Sequence, residues 1–172
     1  YTLLMNASVQ VIYPGMFKSL QFDPIKDFEF IGVLGTVPMV AVVPPNSKYR
    51  TFADIVKAAK ADPKAISFAS PGIATIPHLV GELVSLEAKA PMTHVGYKGT
   101  APALTDVAGG HIDLFYAPLA RALPLIKSGK LIPLAVTTKE PIPELPNVPT
   151  VGQQIGAKDC DVATWYGLWA PN

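Results

Sequence analysis

The sequence predicts an α/β fold whose central part is a mainly parallel sheet flanked by helices. Three observations carry that prediction. From about residue 46 onward, short β-branched runs alternate with helix-length amphipathic segments, the pattern of βαβ units. Proline and glycine punctuate the alternation, with 18 Pro and 13 Gly in 172 residues. The chain is 49% apolar and only 16% charged, which suits a large core and excludes a disordered segment.

Charge excludes further classes. Lys+Arg is 14 and Asp+Glu is 13, a net charge of +1, so no field steers a polyanion. The only arginines are Arg50 and Arg121. A nucleic-acid-binding surface is therefore not expected. The single cysteine, Cys160, permits no disulfide within the chain and no Cys/His zinc set. Apolar runs such as 37–45 are too short to span a bilayer, which takes about 20 residues. The chain opens at Tyr1 without Met or signal peptide and reads as a piece of a longer polypeptide.

In chain order, residues 2–5 read as a strand, Asn6–Ser8 as a polar loop, and the stretch to about Leu20 as helix or turn. Residues 22–28 form a surface stretch. Two strands are expected next, 30–34 and 38–44, the second bounded by prolines. Thr51 and Asp54 make a capping-box start, and Phe52, Ile55, Val56 and Ala59 follow on one helix face. This helix ends before Asp62-Pro63. Strand 66–70, helix 77–89, strand 93–97, helix 101–108, strand 112–116, helix 118–128 and strand 131–137 complete the alternation. The proline-rich stretch 139–149 excludes a helix interior. A short helix at 150–155 and a last strand at 164–170 follow.

Three successive strand-to-helix junctions share a design: Pro71–Pro77, Lys98–Pro102 and Ala117-Pro118. Each helix is expected to begin with Pro near its first turn. Thr75 and Thr100 sit two residues before two of those prolines as N-cap candidates. In a parallel sheet these junctions share the carboxyl edge, where open α/β sheets bind ligands. Helix N-termini there offer N–H groups to an anion, and Gly72 and Gly99 permit close approach. The competing reading is ordinary, since Pro and Thr start helices in any α/β protein.

His78 lies in a first helical turn at this edge, open to ligand contact or to burial beside Leu79. His94 reads as structural and His111 as solvated. Tyr97 and Tyr116 end strands at the edge and are candidates to line a pocket, although strand-end tyrosines also pack ordinarily. Trp165 and Trp169 read as core. Asn6–Ser8 matches a glycosylation sequon but sits in a strand-exit loop, which discounts it. No Gly-x-Ser-x-Gly elbow, phosphate loop, Gly-x-Gly-x-x-Gly or His-Glu-x-x-His occurs, and no carboxylate pair meets at the junctions. No catalytic residue and no metal site are assigned. Ser70 with His78 is conceivable as nucleophile and base, but spacing alone does not establish it.

Together several stretches resemble the Bug family, the periplasmic substrate-binding receptors of tripartite tricarboxylate transporters. They are residues 1–5, 22–28, Ser67–Gly72 with Thr75 and 77–79, 95–106, 109–113, 126–131, 134–137, 145–151 and 165–171. The resemblance implies a two-lobed, periplasmic-binding-protein-like (type II) fold. A second lobe, about 46–162, would be inserted into a first made of 1–45 and 163–172. Family members continue at both ends, so the first lobe would be incomplete here.

The same resemblance places the ligand loops at Ser70, Gly72, Thr75, Tyr97, Gly99 and Thr100, with Ser8 of the first lobe as a candidate facing them. Two positions depart from the family pattern. Ala74 stands where Gly is common, and Ala117, after Tyr116, stands where many members carry Asp able to meet an amine. A carboxylate with an apolar or aromatic body therefore fits better than an amino acid. The implied function is capture of a small carboxylate in the periplasm for membrane transporter subunits. No cofactor, nucleic acid or direct membrane insertion is implied. The alternatives are a sensor that signals to a membrane kinase and, further off, an α/β hydrolase.

Overall fold

The computed structural model describes residues 2–156 and 160–172. The chain divides into two compact units, Pro38–Ala163 and a smaller one made of residues 2–37 with Thr164–Asn172.

The elements of the larger unit follow the predicted alternation. They are the end of β2 (Phe28–Val43), α2 (Phe52–Ala61), β3 (Ser67–Ser70), α3 (Ile76–Glu87), β4 (Thr93–Gly96) and α4 (Thr100–Ala108). After them come β5 (Leu114–Pro118), α5 (Leu119–Lys127), β6 (Ile132–Val136) and α6 (Val151–Ile155). The strand order is β6-β2-β5-β3-β4. β3 pairs parallel with β4 and with β5. β2 lies between β5 and β6 and is antiparallel to both. Four strands thus point one way and one opposes them.

The two expected strands 30–34 and 38–44 are a single strand, β2, despite Gly32, Gly35 and Pro38. The larger unit takes in residues 38–45 because Met39–Val43 hydrogen-bonds to β5 on one side and β6 on the other. Val40 to Val43 are 0% exposed, which a strand covered on both faces requires. Between Ala41 and Val42 the register to β6 shifts, beside Pro133, which has no N–H to give the ladder.

One sheet face packs against α4 and α5 through Val40, Val42, Phe115, Ala117, Leu104 and Val107. The other carries Phe68 and Tyr116, which meet edge to face at 6.3 Å, with Phe52 of α2 at 6.2 Å from Tyr116. Each of these fully buried aromatic rings contributes about 2–3 kcal/mol by burial. Gly81 lets α3 close on this face: a Cβ there would stand 2.2 Å from the Phe68 ring. The expected capping box of α2 forms, with Thr51 Oγ1 accepting from Asp54 N at 3.1 Å and Asp54 Oδ2 accepting from Thr51 N at 2.9 Å. These bonds, the Thr51 ones foremost, hold the Asp54 carboxyl below its usual range. Gln154 of α6 joins three elements: its Oε1 accepts from Phe52 N at 2.9 Å and its Nε2 donates to Leu134 O at 2.7 Å.

The smaller unit contains β1 (Leu4–Ala7), α1 (Val9–Met16), most of β2, and β7 (Ala163–Pro171), in strand order β1-β7-β2. β1 runs antiparallel to β7, with Leu4 opposite Trp169. Phe30, Trp165 and Trp169 cluster with ring centroids 5.4–6.1 Å apart. Trp169 is 3% exposed, the core role expected of it. Buried Gln10 of α1 accepts from Asn6 and donates to the carbonyl of Pro24.

Candidate functional site

The carboxyl ends of β3, β4 and β5 lie on one edge, because the three strands are parallel. β3 and β5 are neighbours whose following helices lead in opposite directions, α3 toward β4 and α5 toward β6. That is the topological switch at which open α/β sheets leave a crevice. The expected edge therefore exists, and the junctions that meet at it are residues 70–77, 97–100 and 117–119.

The first junction is held by its own side chains. Ser70 is 0% exposed. Its Oγ accepts from Gly72 N at 3.1 Å, donates toward Gly72 O at 3.0 Å, and lies 2.6 Å from Nε2 of His94. The Thr75 hydroxyl donates to Gly72 O at 2.7 Å. Gly72 has φ +142° and Ala74 has φ +72°. Ala74 is thus a side-chain-bearing residue in the left-handed region, which ordinarily favours glycine. Its N–H donates to Nδ1 of His78 at 3.2 Å. Ile73 at the loop tip is 79% exposed, and Leu86 is the one other large apolar residue so exposed among the described residues of this unit.

Several expectations need correcting. Thr75 does occupy the N-cap of α3, but its hydroxyl is committed to Gly72 O and caps no helical N–H. Thr100 is the first residue of α4, and Gly99, at φ +121°, takes the N-cap. Proline stands at N2 of α3, third in α4, and at the N-cap of α5. Tyr116 does not line the edge. Strand alternation turns it to the face covered by α2 and α3, where it is 0% exposed and, among the described residues, has no partner for its hydroxyl. Burial holds that phenol well above its usual range, with Cys160 adding to the effect. Ala117 is equally buried, opposite Val40, so no charge stands there.

Tyr97 is half-buried, but its hydroxyl donates to Asp106 Oδ2 at 2.8 Å and is not free to donate elsewhere. Burial, then that bond, pushes its phenol up to about 12. His78 serves its own loop through the Ala74 amide. Ser8 belongs to the smaller unit, where its N–H donates to Trp165 O and its buried Oγ has no hydrogen-bond partner among the described residues. In the loops 71–75 and 97–99 the only basic residue is Lys98, and it is exposed.

Ser70 pairs with His94, not with His78. His94 has the structural role expected of it, since it holds the serine that shapes the loop. The register signals this: Phe68 pairs with His94 and Ser70 with Gly96, so Ser70 and His94 share a sheet face. Burial, then the nearby His78, keeps the His94 imidazole below its usual pKa. A buried serine with a neutral histidine, and no carboxylate bonded to that histidine among the described residues, is not an activated nucleophile. A cavity of about 710 Å3 lies beside the edge, between α4 and α5. Thr100 and Ala101, where β4 leads into α4, line it with Leu104 and Leu125, and Arg121 and Lys130 are its charges.

Glycine-bearing loops and helix N-termini at the carboxyl edge of an open α/β sheet define a ligand-binding class of protein. The family model described as tripartite tricarboxylate transporter family receptor matches residues 1–172. The chain belongs to that family and resembles its Bug members. It is 35% identical over 171 residues to an Agrobacterium vitis protein of the UPF0065 group, covering 99% of this chain and 49% of that one. It superposes on the periplasmic binding protein BugD with a TM-score of 0.90 at 30% identity, over 100% of this chain and 57% of that one. It also superposes on the R. palustris protein Rpa4515, solved with adipate, with a TM-score of 0.87 at 28% identity, over 100% of this chain and 57% of that one. The chain spans about half the length of the curated relatives it matches. Family and fold are those of solute-binding receptors. No helix among the described residues is long and apolar enough to cross a membrane.

Proposed function

We propose that this chain carries the ligand loops of a periplasmic receptor that captures a small carboxylate and delivers it to the membrane subunits of a tripartite transporter. The observation that carries the reading is the meeting of loops 71–75 and 97–99 at one sheet edge, with Gly72 and Gly99 at positive φ and the N-termini of α3 and α4 behind them. Such an edge stabilises an anion through neutral donors. A hydrogen bond to a charged group is worth about 1.5–3 kcal/mol, so a few suffice without an arginine.

Within this reading, backbone N–H groups near Gly72, Ala74, Gly99 and Thr100 hold the carboxylate. Exposed Ile73 covers part of its apolar body. Buried Ala117 offers no charge to an amine, which disfavours amino acids. The adipate in Rpa4515, an aliphatic dicarboxylate on a shared fold, supports the same ligand class. No observation favours the kinase-linked sensor, and the buried Ser70 disfavours a hydrolase.

Titration calorimetry with adipate, its dimethyl ester and its diamide tests the proposal. The diacid should bind and both neutral analogues should lose most of the affinity. Equal binding of ester and acid would overturn it.

A further inference from the structure

The imidazole of His78 accepts a hydrogen bond at Nδ1 from the N–H of Ala74, the one non-glycine residue of the loop in the left-handed region. An atom that accepts cannot also carry a proton, so this contact exists only while Nδ1 is bare. We infer that His78 is a positioning residue that clamps loop 72–75 through the Ala74 amide, so that the loop keeps its shape only while that imidazole is neutral. The ligand consequence deepens the carboxylate-receptor reading and rests on it.

The surroundings of the ring point the same way. Two titratable groups meet it. Glu82, one turn on in α3, stands 3.7 Å from Nε2, and His94 on β4 has its ring centroid 4.2 Å away. β3 presents the uncharged ring of Phe68, stacked at 6.5 Å. The Glu82 carboxylate is beyond hydrogen-bond distance and favours a proton on Nε2 through its charge alone, while the Ala74 N–H donating to Nδ1 requires that atom to be bare. Adding the second proton puts N–H against N–H at Ala74 and removes the bond that holds the residue at φ +72°. His94 is linked in turn to Ser70 Oγ, which holds Gly72. The two histidines thus hold the loop at both ends, and at His78 the ring nitrogen faces a backbone N–H and must accept.

The test follows the Ala74 amide by 1H–15N NMR and hydrogen exchange from about pH 7.5 to about pH 5, in the full chain and in two variants. His78→Asn supplies a non-titrating acceptor near the Nδ1 position, and His78→Leu removes the acceptor. In the parent protein the amide should shift and lose protection on acidification. In His78→Asn it should stay near its neutral-pH position throughout, and in His78→Leu it should sit at the acid position at every pH. Acidification protonates part of the adipate in every variant, so the readout is the difference: between about pH 7.5 and pH 5 the parent should lose about three- to tenfold more adipate affinity than His78→Asn, the worth of one net hydrogen bond. An Ala74 amide that ignores acid in the parent, or that titrates alike in His78→Asn, would overturn the inference. If adipate binds at no pH, the receptor reading fails, while the amide titration still decides the role of His78. Should His78→Leu fail to fold, the comparison of parent and His78→Asn remains decisive.

Discussion

The hydroxyl of Thr75 donates to the carbonyl of Gly72 at 2.7 Å. This bond, with that from Ser70 Oγ, turns the Gly72 carbonyl inward. On the proposed carboxylate reading, an anion approaching the loop would meet amide hydrogens with one fewer repelling oxygen, and Thr75 would act on it through the shape of the loop, not as a donor.

Thr75→Val should weaken adipate binding by about tenfold or more, since it frees a carbonyl to face the anion and removes a bond that orders the loop. Thr75→Ser should keep most of the affinity. Lys98→Gln should cost only a few-fold, because the exposed ammonium is screened by water and salt. Calorimetric titration of the three variants checks the ranking, and a larger loss for Lys98→Gln would show that a charge pair holds the ligand.

Gly99 has φ +121° and ψ 170°, a region that residues with a side chain avoid, although a Cβ there would meet nothing within 4 Å. Gly99→Ala should therefore cost about 1–3 kcal/mol from backbone conformation alone. Denaturant unfolding measures it; an unchanged midpoint would mean that the junction relaxes without strain.

Tyr116→Phe should stabilise the protein by about 1 kcal/mol or more. Among the described residues the buried hydroxyl has no hydrogen-bond partner, so its removal recovers a desolvation cost at nearly constant volume. A lowered unfolding midpoint would reveal a partner for that hydroxyl.

The folded pKa of Tyr97, about 12, lies above the ordinary phenol value of 10.0. The folded state thus holds the proton more tightly than the unfolded one. The resulting stability is fully present below about pH 10 and is lost as pH rises from there toward 12. Phenolate absorbance should show this late titration, and Tyr97→Phe should reduce it, leaving that of buried Tyr116, and flatten stability across the same range. An unaltered late phase in Tyr97→Phe would assign it to another tyrosine.

Much of the larger unit was legible because its signals are local. The Thr51/Asp54 capping box and the spacing of Phe52, Ile55, Val56 and Ala59 define α2 without reference to any other element. The carboxyl edge followed from the alternation of strands and helices alone. What was not legible depends on neighbours. β2 reads as two strands because glycine and Pro38 interrupt it, yet its ladder partners carry it through. Tyr116 sits at a strand end, but which face it takes is set by the antiparallel β2 and the cover of α2. The hydroxyl of Thr75 has two possible partners in sequence, a helical amide and the Gly72 carbonyl, and only the loop's fold selects one. Ile73 carries no signal of its own, and its exposure follows from Gly72 and Ala74 both adopting positive φ.

The most direct measurement is a 1H–15N chemical-shift map of the protein titrated with adipate. The account predicts saturable shifts concentrated on the amides of Gly72, Ile73, Ala74, Gly99 and Thr100, absent with the dimethyl ester. Shifts confined to the groove between α4 and α5, around Leu104, Arg121 and Lys130, would contradict it, as would shifts of the same size with the ester.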